Sequence, residues 1–153
     1  MLNNLFLRTA EKRDLYDIIR LFAEDDLGVT REDLSAPLSQ SYQLAFQEIK
    51  ADKHQALLVV DYNEKVIGTC HLTFLPSLSF KGSKRLNVEN IHIDKKFQNQ
   101  GVGTWMIQKI FTIGKDKGCK IVQLTTNKKR FRAKAFYEKL GFVASHEGMK
   151  LYL

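Results

Sequence analysis

Residues 86–93 read Leu-Asn-Val-Glu-Asn-Ile-His-Ile, and soon after them the chain runs through Gln98-Asn99-Gln100-Gly101-Val102-Gly103 into a stretch with helical periodicity. In that stretch Val102, Met106, Ile110 and Ile113 make one apolar stripe, Ile107 and Phe111 widen it, and Gly118 supplies a stop. Ile121-Val122-Gln123-Leu124-Thr125 then turns β-rich again. Strand, glycine turn, helix and strand in this order predict a βαβ unit, with two parallel strands and the turn at the carboxyl end of the first. Two glycines two apart let the backbone approach an anion without a Cβ in the way. The first-turn N–H groups of the helix lack intrahelical partners, so the turn has the makings of a phosphate cradle.

Upstream, Leu5–Arg8 is a short apolar strand, and Thr9 is placed to cap a helix carrying Leu15, Ile18, Ile19 and Phe22 on one face. That helix is expected to run out at Glu24-Asp25-Asp26-Leu27-Gly28, where acidic charge opposes the helix dipole. Tyr42, Leu44, Ala45, Phe46 and Ile49 mark a second helix. Residues 56–60 and 66–75 make a hairpin about Asn63-Glu64, ended by Pro76. Downstream, Ala133, Phe136, Tyr137 and Leu140 predict a last helix stopped by Gly141, with Phe142-Val143 and Met149-Lys150-Leu151-Tyr152 as closing strands.

At 153 residues the expectation is one domain over 1–153, large enough to fold without staples. No apolar run reaches the ~20 residues of a membrane span, and the start shows no basic leader, so a cytoplasmic protein without membrane contact is expected. Cys70 and Cys119 lack metal-site spacing and read as core; His54, His71, His92 and His146 are scattered, so no metal is expected. The net charge of +7 is unevenly spread: residues 1–80 hold 8 Lys and Arg against 12 Asp and Glu, residues 81–153 hold 16 against 5. The basic half owns the glycine turn, so field and N–H donors agree on an anionic ligand. Nucleic acid is the competing anion, but apart from Phe131 no aromatics interleave the basic residues.

Gln-x-x-Gly-x-Gly at 98–103 and Ala-x-x-x-Tyr-x-x-x-Gly-Phe at 133–142, in this βαβ setting, resemble the GCN5-related N-acetyltransferase superfamily. The resemblance implies an α/β (α+β) fold in the order β-α-α-β-β-β-α-β-α-β-β. Its mixed, mostly antiparallel sheet of six to seven strands is splayed between strands 4 and 5, with helices on both faces. It also implies acetyl-CoA as cosubstrate, an amine acceptor, and room for a homodimer. By the same resemblance Gln98, Asn99, Gln100, Gly101, Val102, Gly103 and Thr104 hold the pyrophosphate, and Ile91, His92 and Ile93 offer a strand edge to the pantetheine arm. Asn127, Arg130, Ala133 and Phe136 flank the cofactor. The stretch 125–130 departs from the common pattern, since Arg130 stands where many members carry Asn seven residues before the tyrosine.

Acetyl transfer needs a neutral amine, a polarised carbonyl and a proton for the leaving thiolate. Tyr137 holds the family position of the proton donor; its other reading is a member of the Ala133, Phe136, Leu140 stripe. Glu89, in phase with Ile91 and Ile93 if no bulge intervenes, is the candidate base, against a structural role beside Arg85. His92, out of phase with Glu89, ranks second. Glu24, Asp25 and Asp26 lie where the resemblance puts the substrate-side loops, and carboxylates there would attract a cationic amine, against a plain solvated surface; Tyr42 and His71 are further candidates. Two functions stand: an N-acetyltransferase acting on a primary amine, a small molecule before a protein, or a non-catalytic acyl-CoA-binding regulator.

Overall fold

The computed structural model describes residues 2–24 and 29–153. Five strands form one sheet in the order β1 (Leu5–Thr9), β2 (Gln55–Tyr62), β3 (Lys65–Leu75), β4 (Lys84–Ile93), β5 (Cys119–Gln123). Neighbours are antiparallel up to β4, and β4 and β5 are parallel, as the βαβ pattern requires. The β2–β3 hairpin turns at Asn63 and Glu64 with φ of +48° and +63°. Left-handed conformations at both positions give the turn twist that suits a two-residue hairpin.

Alternation along β2 sends its apolar residues to opposite faces, and a helical layer covers each. Leu58 and Val60 join Cys70, Leu72, Phe74, Leu86 and Val88 under Val102, Met106, Ile107 and Ile110 of α4 (Val102–Asp116). Leu57 and Val59 pack instead beneath Leu15, Ile18 and Leu21 of α1 (Leu15–Ala23) and Phe46 of α2 (Gln40–Ala51). Between β3 and β4 the chain makes a single helical turn, α3 (Ser79–Gly82). The last helix, α5 (Phe131–Lys139), lays Phe136 and Tyr137 on the α4 face. Burial pushes the Cys70 thiol up to about 12, so it behaves as a small apolar core side chain.

Three expectations are corrected. Thr9 ends β1 rather than capping α1; a 3-10 turn at Lys12–Asp14 intervenes, with the Glu11 N–H donating to Asp14 Oδ2 at 2.7 Å. Among the described residues the sheet has five strands, not six or seven. Residues 142–153, expected to supply two more, form none, and Val143 through Leu153 are exposed. The acidic segment Asp25-Asp26, with Leu27 and Gly28, lies outside the described residues.

Asp14 anchors the start of α1. Its carboxylate accepts from Arg8 Nη1 and Nη2 at 2.7 and 2.9 Å, while Arg8 also reaches Asp61 on β2. Burial pushes the Asp14 carboxyl up, but the Arg8 guanidinium and the Glu11 N–H outweigh it and hold it below the usual range. Asp14→Ala should therefore cost about 2–3 kcal/mol in urea denaturation at pH 7, since it removes two charge-assisted bonds from Arg8, which keeps only Asp61, and leaves the Glu11 N–H without its acceptor. Because the folded carboxyl titrates low, the gap between wild type and variant should shrink as pH falls below the unfolded value near 4.

Candidate active site

The sheet opens where the chemistry is expected. Pairing of β4 with β5 is confined to Lys84–Asn87, because β5 ends at Gln123 opposite Asn87, whereas β4 runs on to Ile93 with no strand beside it on that edge among the described residues. On the other edge of β4, Asp94 donates to the Ile67 carbonyl at 2.8 Å and His92 sits opposite Thr69. Main-chain groups alternate along a strand, so those of Ile91 and Ile93 face the opening. The Gln98 carboxamide donates to the Ile93 carbonyl at 2.8 Å, binding the turn to the strand end.

The turn is shaped by two left-handed residues, Asn99 at φ +59° and Gly101 at φ +84°. The Gln100 side chain donates back to the Lys96 carbonyl at 2.7 Å. Both glutamines thus brace the loop rather than point outward. The first intrahelical bond is Trp105 N–H to the Gly101 carbonyl, and the N–H groups of Val102, Gly103 and Thr104 have no backbone acceptor among the described residues. A Cβ at Gly103 would lie 3.3 Å from Phe136 Cζ, so α5 sits hard against the helix start. Three free N–H donors, a helix N-terminus and a basic half of the chain make an anion site.

Tyr137, half-buried, is ringed by Phe136 and Phe142 at centroid distances of 5.2 and 5.7 Å. Its hydroxyl has no hydrogen-bond partner among the described residues. Burial pushes the phenol above its ordinary value, against the opposing pull of Arg130, so the hydroxyl stays protonated at neutral pH. Asn127 belongs to a local turn: its Oδ1 accepts from Lys129 N–H and its carbonyl from Arg130 N–H, both at 2.9 Å. Lys128 pairs with Glu147 at 2.8 Å. Ala133 is half-buried on α5.

A bulge changes the phase of β4. His71 pairs with Glu89 and Thr69 with His92, so Cys70 spans two residues of β4, and Asn90 takes φ +52°. Leu86 and Val88 join the core under α4, and so, past the extra residue, do Ile91 and Ile93. Glu89 is therefore out of phase with Ile91 and Ile93, and shares the α1 face with His71 and His92, contrary to the expected alternation. His92, expected out of phase with Glu89, lies on the same face as it, with its ring tilted against Phe22 of α1 at a centroid distance of 5.1 Å. Asn in mid-strand was the available signal, since Asn tolerates the left-handed region. Arg85 donates to Ser77 Oγ and Ser79 Oγ, not to Glu89.

On this face sit an exposed Glu89, a half-buried His71 whose Nε2 donates to Gln55 Oε1 at 2.8 Å, and a half-buried His92. Burial depresses both imidazoles; Arg31 depresses His92 further, with Glu32 and Glu24 pulling the other way, and Glu89 opposes the shift at His71. Glu24 itself is engaged, bridged to Arg20 and accepting from the Lys95 N–H at 3.2 Å. Tyr42 donates to Glu32 Oε2 at 3.0 Å. Because both histidines bind protons less well folded than unfolded, stability should be full above pH 6.5 and fall as the pH drops through the folded values. Urea denaturation between pH 5 and 7.5 should show this slope, and His71→Gln with His92→Phe should flatten it.

The site thus combines the end of β4, which outruns its parallel neighbour β5, with the N-terminus of α4. The chain belongs to the Acetyltransferase (GNAT) family, whose model matches residues 14–142, and it is an acetyltransferase. It is similar to a transcriptional regulator from Bacillus halodurans C-125, with 39% identity, 97% of this chain and 99% of that one covered, and a TM-score of 0.94. Over 89 residues it is 30% identical to a glucosamine 6-phosphate N-acetyltransferase of Trypanosoma brucei brucei, a match spanning 58% of each chain. A predicted acetyltransferase with acetyl-CoA from Clostridium acetobutylicum shares the fold at 16% identity and a TM-score of 0.74, over 97% of this chain and 96% of that one.

Proposed function

We propose that the chain moves the acetyl group of acetyl-CoA onto a primary amine. One observation carries this reading: the N–H groups of Ile91 and Ile93 on the open edge of β4, and those of Val102, Gly103 and Thr104 at the start of α4, offer an amide-pairing edge and a phosphate cradle on one stretch of chain. Coenzyme A has that sequence of groups, amides along its arm and a pyrophosphate beyond. The family and the Clostridium acetobutylicum structure support the same ligand.

The chemistry divides between the two faces of β4. The amine nitrogen attacks the thioester carbonyl carbon, whose oxygen gains charge beside the edge N–H groups. The C–S bond then breaks, and the Tyr137 hydroxyl supplies the proton that the thiolate takes up. Glu89, solvent-exposed on the α1 face, removes the ammonium proton directly or through water. His92 and His71, held largely neutral at pH 7 by burial, are alternative bases on that face. The acceptor approaches from that side; a small amine is favoured by the 30% identity over 89 residues to a glucosamine 6-phosphate N-acetyltransferase.

A panel of amines, amino sugars and peptides incubated with acetyl-CoA and read by free-thiol release tests this. Saturable, amine-dependent release is the expected result. Saturable CoA binding with no amine-dependent release from any acceptor would instead favour a regulator, the reading that the name of the Bacillus halodurans protein keeps open.

A further inference from the structure

The last turns of α1 are tied to the start of the glycine turn through one side chain. Arg20 is half-buried on α1, and its guanidinium meets acceptors on three separate parts of the chain. On its own helix and just past it, Nε donates to Asp17 Oδ1 at 3.2 Å and Nη1 to Glu24. On β3, Nη2 donates to the Val66 carbonyl at 3.3 Å, and beyond the end of β4, Nη1 donates to Asp94 Oδ2 at 3.1 Å. A planar fork carries donors in all these directions at once, which a lysine ammonium does not.

Glu24 and Asp94 pass this hold on to the turn. Each gives one carboxylate oxygen to Arg20 and the other to main chain: Glu24 Oε2 accepts from the Lys95 N–H at 3.2 Å, and Asp94 Oδ1 from the Lys96 N–H at 2.9 Å. Those two N–H groups open the 3-10 turn Lys95–Phe97, which leads straight to Gln98 and the glycines. The same helix carries Phe22, packed against the His92 ring on the acceptor side. No step of the proposed transfer uses Arg20, yet both sides of the site are fastened to it. We infer that Arg20 is a positioning residue: through Asp94 and Glu24 it fixes the turn that presents the Val102–Thr104 N–H groups, and it keeps the acceptor-side helix in register with that turn. The inference rests on the reading of the turn as the coenzyme A cradle.

Charge and geometry make opposite predictions for one variant. Were Arg20 only a cation near the cofactor phosphates, Asp94→Asn, which removes a negative charge from that region, would tighten CoA binding. Acting by position, the pair loosens binding when Asp94 becomes Asn, although the remaining side-chain oxygen can still cap the Lys96 N–H. Calorimetric titration with CoA should show the dissociation constant raised about five- to tenfold in Arg20→Met and in Asp94→Asn, and no further in the double variant. The Lys95 amide should exchange faster with solvent in Arg20→Met. Arg8→Met breaks the comparable cluster with Asp14 and Asp61 at the other end of α1; it should lower the thermal midpoint but leave the constant within about twofold. Where Arg20→Met does not fold, the direction of the Asp94→Asn effect decides. Tighter or unchanged CoA binding in Asp94→Asn, additive losses in the double variant, or an equal loss in Arg8→Met overturns the inference. Wild-type protein that binds no CoA overturns the cradle reading itself, and this inference with it.

Discussion

Tyr137→Phe should lower kcat for acetyl transfer by about 10²–10⁴-fold while leaving the KM for acetyl-CoA within about twofold. The hydroxyl makes no hydrogen bond among the described residues, so its loss orphans no protein group, and the thermal midpoint should hold. What disappears is the proton for the leaving thiolate, a group needed in the transition state and not in the ground state. The ring remains, so packing against Phe136 and Phe142 is retained. Steady-state kinetics with a good amine acceptor and a melting curve check both halves. A variant with wild-type kcat would assign Tyr137 to packing alone.

Gly101→Val should raise the dissociation constant of acetyl-CoA by on the order of tenfold or more. Gly101 stands at φ +84°, a region costing a side-chain-bearing residue about 1–2 kcal/mol, and a β-branched residue more. The site has space, since a Cβ there meets only Leu2 at 3.7 Å, so the fold should survive. To relieve the strain the turn must flatten, and the N–H groups of Val102–Thr104 then no longer converge on one point. Calorimetric titration with CoA should show the loss, with the circular dichroism spectrum preserved. Unchanged affinity would remove the phosphate cradle from the turn.

Much of the fold was legible because its signals are local. The period of 3.6 from Val102, the Asn63-Glu64 turn and the β-rich run after Gly118 each specify one element through backbone preference and burial. The βαβ unit followed from their order. Two features were not legible for physical reasons. The bulge at Asn90 depends on how β4 pairs with β3 across the sheet, and one extra residue moved Glu89 to the face of His71 and His92. Residues 149–152 have the pattern of a strand, but a strand needs an edge to pair with, and pattern alone does not say which edge. At the site, the glycine turn could be placed from its spacing, whereas spacing alone fits Tyr137 to the Ala133, Phe136, Leu140 stripe and its proposed role rests on the family resemblance. The bracing roles of Gln98 and Gln100 were not, since a carboxamide can face a ligand or its own loop.

Five N–H groups stand ready for the cofactor, those of Ile91 and Ile93 on β4 and of Val102, Gly103 and Thr104 at the start of α4. Amide hydrogen exchange followed by NMR with and without saturating CoA measures these groups one by one. Slowed exchange at all five, with α2 unaffected, is the predicted result. Saturable CoA binding that leaves these five amides exchanging as before would contradict it.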